Sequence, residues 1–501
     1  MAAFYQVAAE VTGANHFPQP ASRSRWRIAF PDSMGKVNGE PGSLVGTRCA
    51  VPNQHEPGRS GVRSTWSRSD RPIPRRVVRP LQAFLAEEAA GGTVLLSAAV
   101  AALIWANGPW SSSYQEVWQT TLSIRLGPWG ITESLRGWVT EGLMALFFLV
   151  AGLEIKREVL TGELRHRRAA LLPIVAALGG MALPALIYLA FNPHPPASRG
   201  WGVVMPTDIA FALGVLGLAS RRVPAGLRAF VLALAIIDDI GSIVVVALFY
   251  STGIEWGAVA LAAVLGAATV GLRRIQVRAI AAYLLLGVGM WIALHGSGIS
   301  PTLAGVALGF LTPATAFQRP KAVSQEAHRV ADATVDEPEP PDADAAQWLY
   351  LAELSKEAVS PLTRLETVLH HWTSFLVLPL FALANAGVLL SASALADAAS
   401  SPVAVGIVVA RLVGKTAGIS LATFLAVHLL SAQLPANVRG RHVVGAAAAA
   451  GIPFTVSIFI SELALPASLV QMATMGVLAA AVLSGALALL ILRWRMEGHG
   501  L

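Results

Sequence analysis

The chain has 501 residues, 54% of them hydrophobic and only 13% charged, an apolar excess beyond what one soluble core requires. Its formal net charge is +7, but Lys and Arg sit in short clusters between apolar runs, which argues for topology signals and against a nucleic-acid surface. The single cysteine, Cys49, excludes a disulfide framework and a cysteine-based zinc site.

Residues 1–80 are rich in Arg, Ser, Pro and Gly, hold no apolar run of signal-peptide length, and read as a disordered basic cytoplasmic tail. Arg71, Arg75, Arg76 and Arg79 would bring its end close to anionic lipid. The remainder, 81–500, reads as the membrane domain. A hydrocarbon slab about 30 Å thick takes roughly 20 apolar residues per helix. Runs of this kind occur at 84–106, 134–155, 169–191, 202–219, 226–250, 257–272, 279–296, 300–312, 371–390, 403–425, 442–462 and 468–492. They are continuous and too long for the tilted strands of a barrel, so the expected fold is an all-α integral membrane protein with about twelve transmembrane helices.

Basic residues mark alternate loops: Lys156, Arg157, Arg165, Arg167 and Arg168; Arg221 and Arg222; Arg273, Arg274 and Arg278; Arg319, Lys321 and Arg364; Arg439 and Arg441. The positive-inside rule places these loops and both termini in the cytoplasm, and that parity requires an even number of spans. The longest such stretch, 313–365, includes the run Asp336-Glu337-Pro338-Glu339-Pro340-Pro341-Asp342 and reads as a flexible cytoplasmic linker inside the domain.

Gly202 and Pro206 weaken the fourth span just before Thr207 and Asp208, and Gly451 and Pro453 interrupt the eleventh, which runs the opposite way. A backbone opened at membrane depth must be buried in protein or line a wet cavity. Paired interruptions in oppositely directed spans are the mark of an inverted-repeat transporter with its site at the midplane.

Asp238 and Asp239 lie about twelve residues into the fifth span, near the midplane at about 1.5 Å per residue. Each central Asp costs about 2.5–3.5 kcal/mol on insertion scales. A purely structural pair of neutral acids is the weaker reading, because Asn or Ser would bond as well at lower cost. Neighbouring side chains on a helix diverge by about 100°, so the two acids have different jobs, yet they are close enough to titrate as a unit. Lys415 lies at the same depth in the tenth span and needs an acid partner, Asp238 or Asp239, with Gly414 and Gly418 allowing close approach. Arg411, one turn away, reads as an interfacial or supporting charge. Glu154, Lys156, Arg157, Glu158 and Glu163 crowd the cytoplasmic end of the second span; a solvated helix end accounts for them, and pH response is the alternative role for Glu154, Glu158 and Glu163.

These residues stand in motifs that together resemble the NhaA family of bacterial Na⁺/H⁺ antiporters: Phe147-Phe-Leu-Val-Ala-Gly-Leu-Glu154-Ile-Lys-Arg-Glu158, Thr207-Asp208-Ile-Ala-Phe-Ala-Leu-Gly214, Ala235-Ile-Ile-Asp238-Asp239 and Leu380-Phe-Ala-Leu-Ala-Asn-Ala-Gly387. The resemblance runs from about Leu81 to Arg495. It implies that Asp239 is the indispensable Na⁺ ligand with Asp238 beside it, that Asp238 pairs with Lys415, and that Thr207 and Asp208 belong to a broken fourth helix. It also implies an inverted repeat of spans 3–5 and 10–12, electrogenic exchange in the bacterial inner membrane, sodium extrusion and intracellular pH regulation. Pro206, Thr416, Pro453 and Ser300-Pro301 depart from the family pattern without removing a carboxylate or the lysine.

The expected partners are Na⁺, Li⁺, H⁺ and membrane lipid, with a homodimer compatible, no cofactor and no nucleic acid. Na⁺ is a hard cation that seeks oxygen, and the carboxylates that bind it must first lose protons, so shared occupancy gives exchange. Two other classes use similar residues. An intramembrane aspartyl protease needs two acids facing each other across helices, and the Gly-x-Gly-Asp signature is absent around Asp239. A Na⁺-coupled solute symporter would add a polar cluster that the spans lack.

Overall fold

The computed structural model describes residues 88–494 apart from 128, 220–222, 252, 278 and 334–344. The N-terminal tail expected over 1–80 lies outside the described residues. With long apolar runs and no water to satisfy backbone groups, each run closes its own hydrogen bonds as a helix. In chain order these are α1 (Glu88–Asn107), α2 (Ser111–Gln119), α3 (Leu135–Thr161), α4 (Arg167–Phe191), a 3₁₀ helix (Ala197–Val204), α5 (Ile209–Ala219), α6 (Ala225–Phe249), α7 (Trp256–Arg274), α8 (Ile280–Leu294), α9 (Leu303–Leu311), α10 (Pro320–Ala333), α11 (Ala345–Glu357), α12 (Pro361–Asn385), α13 (Ala392–Ser400), α14 (Pro402–Leu429), α15 (Gly440–Ala450), α16 (Thr455–Ala464) and α17 (Ala467–Trp494).

Eight of these, α1, α3, α4, α6, α7, α12, α14 and α17, are long and apolar enough to cross a membrane. Two further pairs pass the same test only together. The 3₁₀ helix and α5 bend by 49° at their junction, and α15 and α16 bend by 50°. α8 is apolar but shorter, and α9 has nine residues.

The structure differs from the sequence reading in three places. A β-hairpin interrupts the all-helical pattern: β1 (Thr121–Leu126) runs antiparallel to β2 (Trp129–Ser134), with Thr121 opposite Ser134 and Gly127 at φ +61° in the turn. Its alternation of apolar and polar residues has the period of a strand. The 313–365 stretch is not a plain linker, because α10 and α11 flank its acidic run, which itself lies outside the described residues. Finally, α12 begins ten residues before the expected 371. Ser360 caps it by accepting from Thr363 N at 3.2 Å, and Pro361 supplies a first-turn φ with no amide to satisfy.

Glycines set the closest helix crossings. A methyl group on Gly418 of α14 would run into the backbone carbonyl of Gly179 on α4, and the reverse also holds. The two backbones therefore touch directly, as small residues permit in membranes. Gly152 of α3 and Gly309 of α9 meet in the same way, with Gly152 Cα 2.9 Å from a Cβ built on Gly309. The first crossing carries Lys415, one turn before Gly418, into the protein interior.

Candidate functional site

Both bent pairs break at a proline, which has no amide to continue a helix. Met205-Pro206-Thr207-Asp208 separates the first pair and Gly451-Ile452-Pro453-Phe454 the second. Helix ends leave carbonyls at one terminus and amides at the other that need partners when buried. Here the two breaks supply each other: Asp208 N donates to Ile452 O at 3.2 Å, and Thr207 Oγ1 lies 2.9 Å from Ala450 O, the last residue of α15.

The remaining carbonyls at the first break are held by cations from α14. Arg411 donates to Val203 O at 2.8 Å and to Pro206 O, and also to Ser457 Oγ. Lys415 Nζ donates to Met205 O. The amide ends are met by an acid. Asp208 Oδ1 accepts from Phe211 N at 3.4 Å, in the first turn of α5. Asp208 Oδ2 accepts from Thr455 Oγ1 at 3.0 Å and from Thr455 N at 3.4 Å, where α16 starts. Positive side chains thus face carbonyl ends and a carboxylate faces amide ends, the arrangement that helix dipoles favour.

α6 brings the acid pair to this crossing. Asp238 is fully buried, and its Oδ2 lies 2.7 Å from Lys415 Nζ and 2.7 Å from Thr207 Oγ1. Thr207 has one hydroxyl proton for two acceptors, Asp238 Oδ2 and Ala450 O, so one of these contacts changes whenever that proton turns. Asp239 is half-buried and points elsewhere. The Oδ1 atoms of both Asp238 and Asp239 are buried with no hydrogen-bond donor. The divergence expected of adjacent helical residues therefore leaves one carboxylate engaged through a single oxygen and the other without a donor on Oδ1.

Lys415 closes a π-helical turn, Ala410–Lys415, inside α14. Such a turn places Arg411 and Lys415 over one break, and π-turns are frequent at functional sites. Arg411 was expected to be interfacial or supporting; it is fully buried, because the opened backbone at 203–206 offers carbonyls that replace water. Thr455 and Ser457 are the residues that sequence reasoning missed as part of the site, and Arg411 was given only a supporting or interfacial place beside it. Their signals were present: Arg411 precedes Lys415 by one turn, and Thr455 follows Pro453 much as Asp208 follows Pro206.

The acidic end of α3 is not brought to this crossing. Glu154 Oε1 is 3.5 Å from His370 Nδ1 of α12, and Arg157 pairs with Glu366 of the same helix. Lys156 is buried and donates to Phe310 O at 2.7 Å and to Thr312 O, covering the carbonyl end of α9. A simple solvated helix end is therefore corrected for Lys156. Glu158 stays on the same turn of α3, and the Glu163 side chain lies outside those described.

A family model described as Na⁺/H⁺ antiporter 1 matches residues 82–492. Similar curated proteins include a Na⁺/H⁺ antiporter NhaA of Anaeromyxobacter sp. (strain Fw109-5), 48% identical over 84% of this chain and 93% of its own length. A Na⁺/H⁺ antiporter NhaA 2 of Sorangium cellulosum (strain So ce56) is 44% identical over 86% of this chain and 91% of its own. A Na⁺/H⁺ antiporter NhaA of Rhizobium meliloti (strain 1021) is 41% identical over 86% and 98%. These names describe transporters and not enzymes. With a family match that takes in both breaks, the acid pair and Lys415, and with eight membrane-length helices around them, the chain is a multi-pass membrane protein that belongs to the Na⁺/H⁺ antiporter 1 family.

Proposed function

We propose that this chain, a Na⁺/H⁺ antiporter by family, takes Na⁺ or Li⁺ on the donor-free oxygens of Asp239 and Asp238 and returns protons on the same carboxylates. One observation carries this reading: two buried carboxylate oxygens on adjacent residues have no donor, although an unpaired buried charge is among the costliest features a fold can hold. A hard monovalent cation matches such oxygens, and so does a proton. Binding of either excludes the other, and alternating access to the two membrane faces turns that competition into exchange.

Charge balance supports electrogenic exchange. Asp208, Asp238 and Asp239 face Arg411 and Lys415, which leaves one negative charge when all five are ionised. One Na⁺ cancels it, whereas two protons leave the site positive by one. In this scheme Na⁺ at Asp239 disturbs the Asp238–Lys415 pair, and Thr207 and Asp208 keep the breaks in register. Each bent pair counts as one interrupted span, and with α8 and α9 as short spans the total is twelve. Spans 3–5 and 10–12 form the inverted repeat, and the basic loops and termini face the cytoplasm of a bacterial inner membrane. The group formed by Glu154, Glu366, Arg157 and His370 joins α3 to α12 through charged contacts. It is the candidate for pH response, with Glu158 and Glu163 nearby in sequence, and it would serve pH regulation and sodium extrusion.

A shared-water protease site is disfavoured, since Asp238 is committed to Lys415 and Thr207. The test is proteoliposomes with a trapped pH dye and an imposed pH gradient, to which Na⁺, Li⁺ or K⁺ is added. Na⁺ and Li⁺ should discharge the gradient without organic solute and K⁺ should not. Discharge that needs an added solute would favour a symporter, and discharge by K⁺ would refute the assigned selectivity.

A further inference from the structure

A groove of about 300 Å³ opens between α3, α8 and α9, and its lining is almost wholly apolar. Small residues on these helices, among them Gly142, leave it unfilled. At one end Trp138 and Trp291 stack with ring centroids 5.9 Å apart, and at the other lie Leu149 and Leu308. From Trp138 to Leu149 the groove follows α3 for about 16 Å at a rise of about 1.5 Å per residue. That is the depth of one leaflet in a hydrocarbon core about 30 Å thick, starting at the level where tryptophans gather. Val288, on the open flank, is 55% exposed.

The tryptophan end carries a polar cluster. His295 stacks on Trp291, its Nδ1 is 3.2 Å from Glu141 Oε2, and its Nε2 is 3.6 Å from Glu133 Oε1. Two carboxylates face an imidazole that carries at most one positive charge, so the mouth of the groove keeps a negative excess. Both carboxylate side chains remain about one-third exposed, Glu133 at 36% and Glu141 at 32%.

We propose that this groove seats one acyl chain of a phospholipid from the leaflet on the hairpin side, with a primary-ammonium headgroup on Glu133 and Glu141. Length selects a single chain of one leaflet, and charge selects the headgroup. A primary ammonium offers three N–H donors to the two carboxylates. A trimethylated one offers none, and an anionic headgroup without an amine is repelled. The lipid bridges the hairpin to α8, independently of how the ion site works.

The experiment uses the full-length protein, stripped of lipid in detergent, with dioleoylphosphatidylethanolamine, dioleoylphosphatidylcholine or dioleoylphosphatidylglycerol added, and bound lipid counted by native mass spectrometry. The ethanolamine lipid should be retained about ten-fold better than the other two, the ratio expected for one charge-assisted contact. Glu141→Gln and Glu133→Gln should abolish the preference. Gly142→Leu should abolish retention of all three, because a Cβ there meets only Trp138 at 3.5 Å and the larger side chain enters the groove. Val288→Trp fills it from the exposed flank should Gly142→Leu fail to fold. Equal retention of the three lipids, or retention untouched by both filling variants, would overturn the proposal. So would a dimer in lipid-free detergent that Gly142→Leu turns into a monomer, since the occupant would then be a second copy of the chain.

Discussion

Removing Lys415 should destabilise the protein far more than removing it together with its partner. The ammonium and Asp238 Oδ2 are 2.7 Å apart and neither side chain is exposed. Lys415→Ala therefore strands a carboxylate with only Thr207 as donor and frees the Met205 carbonyl. Breaking such a buried pair costs about 3–5 kcal/mol. If the roughly 400 residues described unfold with the usual entropy per residue of globular proteins, this lowers the melting temperature by about 4–6 °C. Asp238→Asn should cost a comparable amount by leaving the ammonium without a counter-charge. In the double variant Asp238→Asn with Lys415→Gln neither group is charged, and a Gln can still donate to Met205 O, so at least half the loss should return. Thermal melts of the purified protein in one detergent, for wild type, both single variants and the double, give the coupling energy directly. Losses that add to within about 0.5 kcal/mol would show that the pair is not an energetic unit, and the argument from stranded charge would fail with it.

Asp239→Asn removes a charge whose Oδ1 has no donor, so the melting temperature should hold or rise while Na⁺-dependent proton release disappears in proteoliposomes; retained release would clear Asp239 of the assigned role. Arg411→Lys cannot reach Val203 O, Pro206 O and Ser457 Oγ with one ammonium, and each stranded acceptor should cost about 1–3 kcal/mol in a melt; an unchanged melt would mean that the guanidinium contacts carry no stability. The Glu141 carboxylate beside His295, with Glu133 behind it, holds the imidazole above its usual pKa against the opposing effect of burial. The charged form is favoured by folding, so this stabilisation is complete below the unfolded value near 6.5 and is lost as pH rises through the raised folded value. Wild type should accordingly melt higher at about pH 6 than at about pH 8.5, by a margin that His295→Gln reduces; an identical margin in the variant would remove His295 as its source.

Length and hydropathy make the membrane helices legible in the sequence, and the cost of charge at depth singles out Asp238, Asp239 and Lys415. Proline placed both breaks. The hairpin escaped because a six-residue strand next to an apolar span is masked by any window of span length. The start of α12 escaped for a related reason: its first turns mix Arg364 and Glu366 with Leu362 and Leu365, so their mean hydropathy is low although one face is buried. Of the two readings of Arg411 the supporting one holds and the interfacial one does not; its partners are carbonyls near residue 205, brought close only by the fold. π-turns such as Ala410–Lys415 leave no pattern in sequence, since they arise where packing forces one extra residue into a turn.

The site divides by whether its polar atoms are satisfied. The two terminal nitrogens of Arg411, with Asp208, Thr455 and Ser457, bond within the protein and hold two broken backbones against each other, although Arg411 Nε is buried without a partner. Such groups explain themselves as structure. Missing partners alone do not mark function, because the hydroxyls of Thr416 and Ser420 in α14 are also buried without one. A lone hydroxyl costs only about 1–3 kcal/mol, however, and can turn to weak acceptors. A carboxylate oxygen has no proton to turn and carries charge, so its burial without a donor is steeper by several kcal/mol per ion. The two such oxygens at this crossing, on Asp238 and Asp239, are therefore the atoms that folding alone does not account for. A group whose presence works against stability should become neutral whenever it is given a proton or a cation, and in the function proposed above the choice between those two is the exchange itself.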